Sequence, residues 1–389
     1  MSFNESAFIY KEGGMLIVKI KNVSVNVIQL PFKSPFKVAY ETYEVMPSLI
    51  IKIETENGLV GFGEAVPDQH VTGETWESTL TNIQKYLAPV VIGENPFQME
   101  KIHTKMNAVL HNAPSAKAAI DIACYDLMGK ATGQPIYHLL GGPYYDSLNI
   151  SHVIGMGNKE QMVKEAVNAV EEGYTDLKVK VGNNEEDDIQ TITEIRKAVG
   201  PNIKLKLDAN QGWDTPTTAL KVIRKLEQLD IDWIEQPISA ANRAGLAEMR
   251  RKTTIPIMAD EGVHGADHLR ELISLNAVDY INIKLMKCGG IYPAMQLVHQ
   301  AEMAGIPCII GSMIESSVAT AAGAHLAISK KNIIANELGS PLIFSKDIAP
   351  MTYRKNELYL SQQAGLGLKV NEVLLKEMTI TREEITYAR

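Results

Sequence analysis

The sequence predicts an α/β protein: a TIM-like (β/α) barrel of seven or eight units, preceded by an N-terminal α+β domain that the last stretch of chain completes. Three observations predict it. Short apolar strands alternate with amphipathic helices between about residues 149 and 338, and such alternation makes a parallel sheet. Some 200 residues for seven or eight units suit a compact barrel. No GxGxxG follows the first of these strands, which disfavours an open, doubly wound sheet.

Residues 1–14 read as an extension, and no basic segment followed by an apolar one marks a signal peptide. Residues 15–140 read as the α+β domain. A strand rich in Val and Ile starts at Met15, and PSLIIKIET and LVGFGEA flank Glu56-Asn57-Gly58, a hairpin signal. Helices are expected near 74–87 and 96–110. Ser115 to Lys130 is Ala-rich and apolar on most faces, hence a buried helix. After Gly141-Gly142-Pro143 the barrel, 141–344, is expected to place strands near 149–155, 176–181, 203–208, 232–235, 256–260, 279–284, 307–311 and 333–338. Helices at 159–172 and 216–229 fill two of the gaps; the second opens on Pro216, which suits a first helical position. Residues 345–389 return to strand and turn and are expected to pack back on the first domain.

The chain has 389 residues, 45% hydrophobic and 22% charged, ordinary for a soluble globular protein. A net charge of -8 argues against a nucleic-acid surface. Cys124, Cys288 and Cys308 are sparse and widely spaced, which favours buried, reduced thiols. No apolar run reaches the roughly 18–20 residues of a membrane span. The expectation is a cytoplasmic protein with neither nucleic acid nor membrane as partner.

Barrel chemistry sits at the C-terminal ends of the strands. There the sequence places Lys178 and Lys180, then Asp208, Glu235, Asp260 and Lys284. Steps of 28, 27, 25 and 24 residues separate Lys180, Asp208, Glu235, Asp260 and Lys284, about one βα unit each, so all five fall on one rim. Three acids on adjacent strands would repel one another unless a cation joins them. An all-oxygen set with no His or Cys suits Mg²⁺. Lysines on both sides offer two bases for opposite faces of one carbon. Taken singly, an acid at a strand end is more often a helix cap; the joint spacing carries the reading. Lys206, deeper on the strand of Asp208, is expected to be a buried counter-ion for the ligands. A Schiff-base aldolase also needs a barrel lysine but leaves the three acids unexplained.

KVK at 178–180, LDANQGW at 207–213, WIEQP at 233–237, ADE at 259–261 and NIKLMKCGGI at 282–291 together resemble the enolase superfamily, in its muconate lactonizing subgroup. GLVGFGEA extends the resemblance to the first domain, a capping domain in that family. The resemblance implies Mg²⁺ on Asp208, Glu235 and Asp260, with Asn210 and Glu261 behind them. It implies Lys180 and Lys284 as acid/base catalysts, and Lys178 as the holder of a substrate carboxylate that also lowers the pKa of Lys180. Ser312, Met313 and Ile314, in GSMIE, would touch the small-molecule carboxylate substrate, and a homo-oligomer is expected. Family members include racemases of N-acylated amino acids, dipeptide epimerases, o-succinylbenzoate synthases and muconate cycloisomerases. The epimerases typically carry Asp-x-Asp at the end of the eighth strand to hold an ammonium. Here that stretch is Glu337-Leu338-Gly339. ELGSPLIFSKDI and DQHVTGETWEST resemble the N-succinylamino acid racemases. Racemisation of N-acyl (N-succinyl) amino acids through an enediolate is therefore the expectation, with the other activities as alternatives. Loops at 32–43 and 68–74 are expected to close the site. Phe36 and Tyr40 would line a pocket or join the core, and His70 would touch ligand or solvent. Gly289-Gly290 reads as a tight turn.

Overall fold

The computed structural model describes residues 18–37 and 42–386. The expected extension, the strand start at Met15, Tyr40 and the Phe36 side chain fall outside the described residues.

Eight parallel strands follow one another in the sheet in chain order: His152–Ile154, Asp176–Lys180, Lys204–Asp208, Ile231–Glu235, Ile257–Ala259, Tyr280–Ile283, Cys308–Ile310 and Ile333–Asn336. The sheet curls until its two edges meet at a single parallel bridge between Ile150 and Asn336. The Asn336 amide reinforces it by donating to Asn149 O at 2.9 Å. Residues alternate across each strand. Leu177, Val179, Leu205 and Leu207 are buried without exposure on the opposite strand face from Lys178, Lys206 and Asp208. Thr215 caps the helix Pro216–Leu226, and Ala219, Leu220, Val222, Ile223 and Leu226 form its buried face.

The N-terminal sheet is antiparallel, in the order Thr379–Thr386, Ile20–Lys37, Thr42–Thr55, Val60–Ala65. The end of the chain thus supplies an edge strand to the beginning. Helix Pro114–Thr132 lies against Val60–Ala65 and is buried over most of its length.

Two buried acids of this domain cap helices of the barrel, fixing one domain against the other. Glu64 accepts hydrogen bonds from Ser316 N (2.9 Å), Ser316 Oγ (2.6 Å) and Ala319 N (2.9 Å), at the start of helix Ser317–Ser329. Asp121 accepts from Ile291 N (2.5 Å) and Tyr292 N (3.2 Å), at the start of helix Ile291–Met303, and pairs with His103 Nε2 at 2.8 Å. Negative charge at a helix N-terminus is favourable. A Cβ on Gly290 would fall 2.3 Å from the Asp121 carboxyl, so the glycine pair is the expected turn and also makes room for this cap. No helix among the described residues is long and apolar enough to cross a membrane.

His325 ties three segments together. Its Nδ1 accepts from Tyr137 N at 3.2 Å and its Nε2 donates to Leu366 O at 3.1 Å, so the ring is neutral. Burial holds its pKa down at about 4, against about 6.5 in an unfolded chain. Between those values the unfolded chain binds the extra proton. The contribution is therefore whole above about pH 6.5 and is lost as pH falls toward 4. We expect this residue to remove about 3 kcal/mol over that interval, and His325→Gln to flatten the decline. Urea midpoints between pH 4.5 and 7 check this; equal pH slopes in the two proteins would contradict it.

Candidate active site

The rim residues come together. Lys180 pairs with Asp208 and Asp208 with Glu235 in direct register. Glu235 lies opposite Met258, so Asp260 stands two residues further along its strand. The even offset keeps Asp260 on the same face, and the stagger of tilted barrel strands accounts for it. Asp208, Glu235 and Asp260 are fully buried, and one carboxylate oxygen from each lies within 4.8 Å of the others.

Lysine ammonium groups converge on these acids. Lys178 Nζ lies 2.9 Å from both Asp208 Oδ2 and Glu235 Oε2, and 2.7 Å from Glu337 Oε1. Lys180 Nζ donates to Asp208 Oδ2 (2.8 Å) and Asn210 Oδ1 (2.7 Å). Lys284 Nζ donates to Asp260 Oδ2 (2.7 Å), and Lys287 contacts Asp260 Oδ1 and its carbonyl. Lys180 and Lys284 stand on the second and sixth strands, with the three acids on the strands between. The two lysines therefore flank the acids around the rim.

The charges are strongly unequal. Burial alone would raise Asp208, but Lys178 and Lys180 hold it below the usual carboxylate range. Asp260 is lowered in the same way, Lys284 and Lys287 outweighing its burial. Burial and Asp208 push Glu235 well above the usual range, and Lys178 only partly counters them. Burial disfavours the charged form of Lys178, yet Asp208, Glu235 and Glu337 raise it well above its ordinary value.

The arrangement fits a hard divalent cation. The donors are all carboxylate oxygens. Glu235 Oε2 is buried and receives no directed hydrogen bond; Lys178 approaches it at an angle that makes none. Lys178 itself shows that the cluster draws positive charge into its centre.

Around this cluster lies a cavity of about 420 Å³. Lys178, Lys180 and Lys284 reach its floor beside Asn210 and Glu261. Ser312, Met313 and Ile314 form part of its wall, and Lys33, Met46, Asp68 and Val71 of the N-terminal domain reach it from the other side. Asn210 Nδ2 donates to Glu261 Oε1 at 3.0 Å, so Asn210 links Lys180 to the acid after Asp260. Asn210 holds a left-handed φ of 40°, a strain that functional sites often carry. Ser312 Oγ donates to Glu337 O and lies 3.0 Å from Ser340 Oγ. His70 is exposed and off the cavity wall.

One expectation is corrected. Lys206 is not a counter-ion for the rim acids: it pairs with Asp176 Oδ1 at 2.7 Å, donates to Ser151 Oγ at 2.9 Å and lies over the Trp233 ring at 4.7 Å. It stands beside Lys178 in the register, one layer below the rim. That neighbour already serves the acids, so the Lys206 ammonium turns toward the bottom of the barrel.

Three contributors went unread in the sequence. Asn282 Nδ2 donates to Glu235 Oε1 at 2.9 Å; the two-residue period of a strand, counted back from Lys284, points to it. Lys287 is one helical turn after Lys284. Glu315 accepts from Met313 N and Thr320 Oγ1 and so braces the wall residues.

Comparison with known proteins agrees with this geometry. Residues 161–374 match the family described as "Enolase C-terminal domain-like", and residues 21–141 match "Mandelate racemase / muconate lactonizing enzyme, N-terminal domain". The chain is 46% identical to an N-succinyl-L-Arg/Lys racemase of Bacillus cereus, over 94% of this chain and 99% of that protein. The crystal structure of the Bacillus cereus racemase superposes with a TM-score of 0.93, covering 94% of this chain and 100% of that one. A hydrophobic dipeptide epimerase of Enterococcus faecalis is 44% identical over 90% of this chain and 99% of its own. The structure of that organism's dipeptide epimerase with Mg and L-Leu-L-Tyr superposes with a TM-score of 0.87, at 42% identity, covering 90% of this chain and 99% of that one.

Proposed function

The chain belongs to the mandelate racemase/muconate lactonizing enzyme family of the enolase superfamily, an isomerase by descent, and from that premise we propose that it racemises N-acylated amino acids, N-succinyl derivatives first among them. Asp208, Glu235 and Asp260 would hold Mg²⁺. A cation there would neutralise the paired acids and stabilise the negative charge that grows on a substrate carboxylate as its α-proton leaves. A Lys or His base working with one or two Mg²⁺ ions is a pattern of this superfamily.

The lysines do the proton transfer. One Nζ, of Lys180 or Lys284, takes the proton from the α-carbon, and the carbon's electron pair delocalises into the carboxylate as an enediolate. The other Nζ returns a proton to the opposite face, which inverts the centre. Lys178 would hold an oxygen of the substrate carboxylate. Asn210 and Asn282 keep Lys180 and Glu235 oriented, and Met46 and Val71 from the capping domain narrow the access of water.

Glu337 carries the choice of substrate. It is the lone acid of its segment, since Gly339 stands where the epimerase pattern has a second one, and its carboxylate is already engaged by Lys178 at 2.7 Å. A free ammonium would find no carboxylate pair there, whereas a neutral amide needs none. Identity of 46% over nearly the whole length of a racemase named for N-succinyl-Arg/Lys supports the same choice. The test is a ²H₂O exchange screen by mass spectrometry over N-succinyl amino acids and L,L-dipeptides, with Mg²⁺ present. Deuterium should enter the α-position of the N-succinyl compounds. Exchange on dipeptides alone would replace this reading with an epimerase.

A further inference from the structure

We propose that Lys33 binds a second, distal carboxylate of the substrate, the free end of the N-succinyl group. This rests on the racemase reading above. Among the described residues, four lysines line the cavity: Lys33, Lys178, Lys180 and Lys284. The last three are committed to acids beneath the floor. Lys33 stands apart from them on the capping domain, and among the described residues it has no ion-pair partner.

Its position is held. The pairing of strand Ile20–Lys37 with Thr42–Thr55 lapses between Pro31 and Phe36, so the backbone there is free to pair elsewhere. Phe32 forms an antiparallel bridge with Phe344, and the two rings lie 5.0 Å apart. Ser345 N and Oγ donate to Pro31 O at 2.8 and 3.1 Å. The strand is thereby stapled to the segment that follows the eighth barrel strand, and the next residue, Lys33, faces the cavity.

The surroundings match the ligand. A succinyl group carries two methylenes between its amide and its carboxylate. Met46, Val71, Leu342 and Ile343 supply apolar wall for such a spacer. Asp68, which lines the same side of the cavity, already accepts from His70 N (2.8 Å) and Val71 N (2.9 Å). Among the described residues, an anion entering from the capping side thus meets Lys33 as a cation with its charge available.

The readout is the preference for an N-succinyl over an N-acetyl derivative of the same amino acid, as a ratio of kcat/KM. Lys33→Ala should lower that ratio about three- to ten-fold, mainly through KM; Lys33→Glu should lower it further and Lys33→Arg should restore it. Added salt should shrink the wild-type preference. Equal losses on both substrates, or no change in the ratio, would overturn the assignment while leaving the racemase reading in place. If the wild type exchanged no N-acyl amino acid at all, the racemase reading would fall and this inference with it.

Discussion

Lys180→Ala should abolish α-proton exchange from one enantiomer of the substrate, and Lys284→Ala from the other. A positioned acid/base group contributes about 10²–10⁴-fold, so each variant should lose at least that much on its own face. The proposal places the two ammonium groups on opposite sides of the reacting carbon because they come from the second and sixth strands, with the acids between. Both variants should fold. Without Lys180, Asp208 keeps Lys178 at 2.9 Å; without Lys284, Asp260 keeps Lys287. Deuterium uptake measured from each pure enantiomer, alongside circular dichroism, checks this. Equal, partial losses from both would remove the two-base mechanism.

The second large effect is expected of Asp208→Asn. On the proposed reading it removes a charged ligand, and even outer-shell changes cost about 10- to 100-fold in metal affinity. Mg²⁺ affinity should therefore fall by about 100-fold or more. The same change leaves two ammonium groups facing a neutral amide. Losing one member of a buried ion pair costs about 3–5 kcal/mol; here Glu235 and Glu337 still serve Lys178, so the cost should lie at the lower end. Calorimetric Mg²⁺ titration and urea unfolding read the two effects separately. An unchanged titration would take Asp208 out of the metal set.

Much of the site was legible because its residues obey two simple periods. One βα unit separates each rim residue from the next, and two residues separate side chains on one strand face, so the sequence alone puts Lys178, Lys180, Asp208, Glu235, Asp260 and Lys284 on one rim. The same periods misled at Lys206. They give its face and its layer but not which way a long, flexible side chain turns, and Asp176 below it decided that. Lys287 and Glu315 lie in the segments after strands, where neither period applies. Contacts between domains were the least legible. Nothing local to Glu64 or Asp121 says that each caps a helix more than a hundred residues away. Nor does the sequence around Ile150 say that one bridge to Asn336 closes the sheet.

The central claim is that three acids hold one cation between two opposed amines. A crystal structure grown in Mg²⁺ tests it most directly. It should show a single ion bonded to oxygens of Asp208, Glu235 and Asp260, with Lys180 and Lys284 Nζ on opposite sides of the open coordination positions. An ion bound elsewhere, or both amines on the same side of it, would contradict the account.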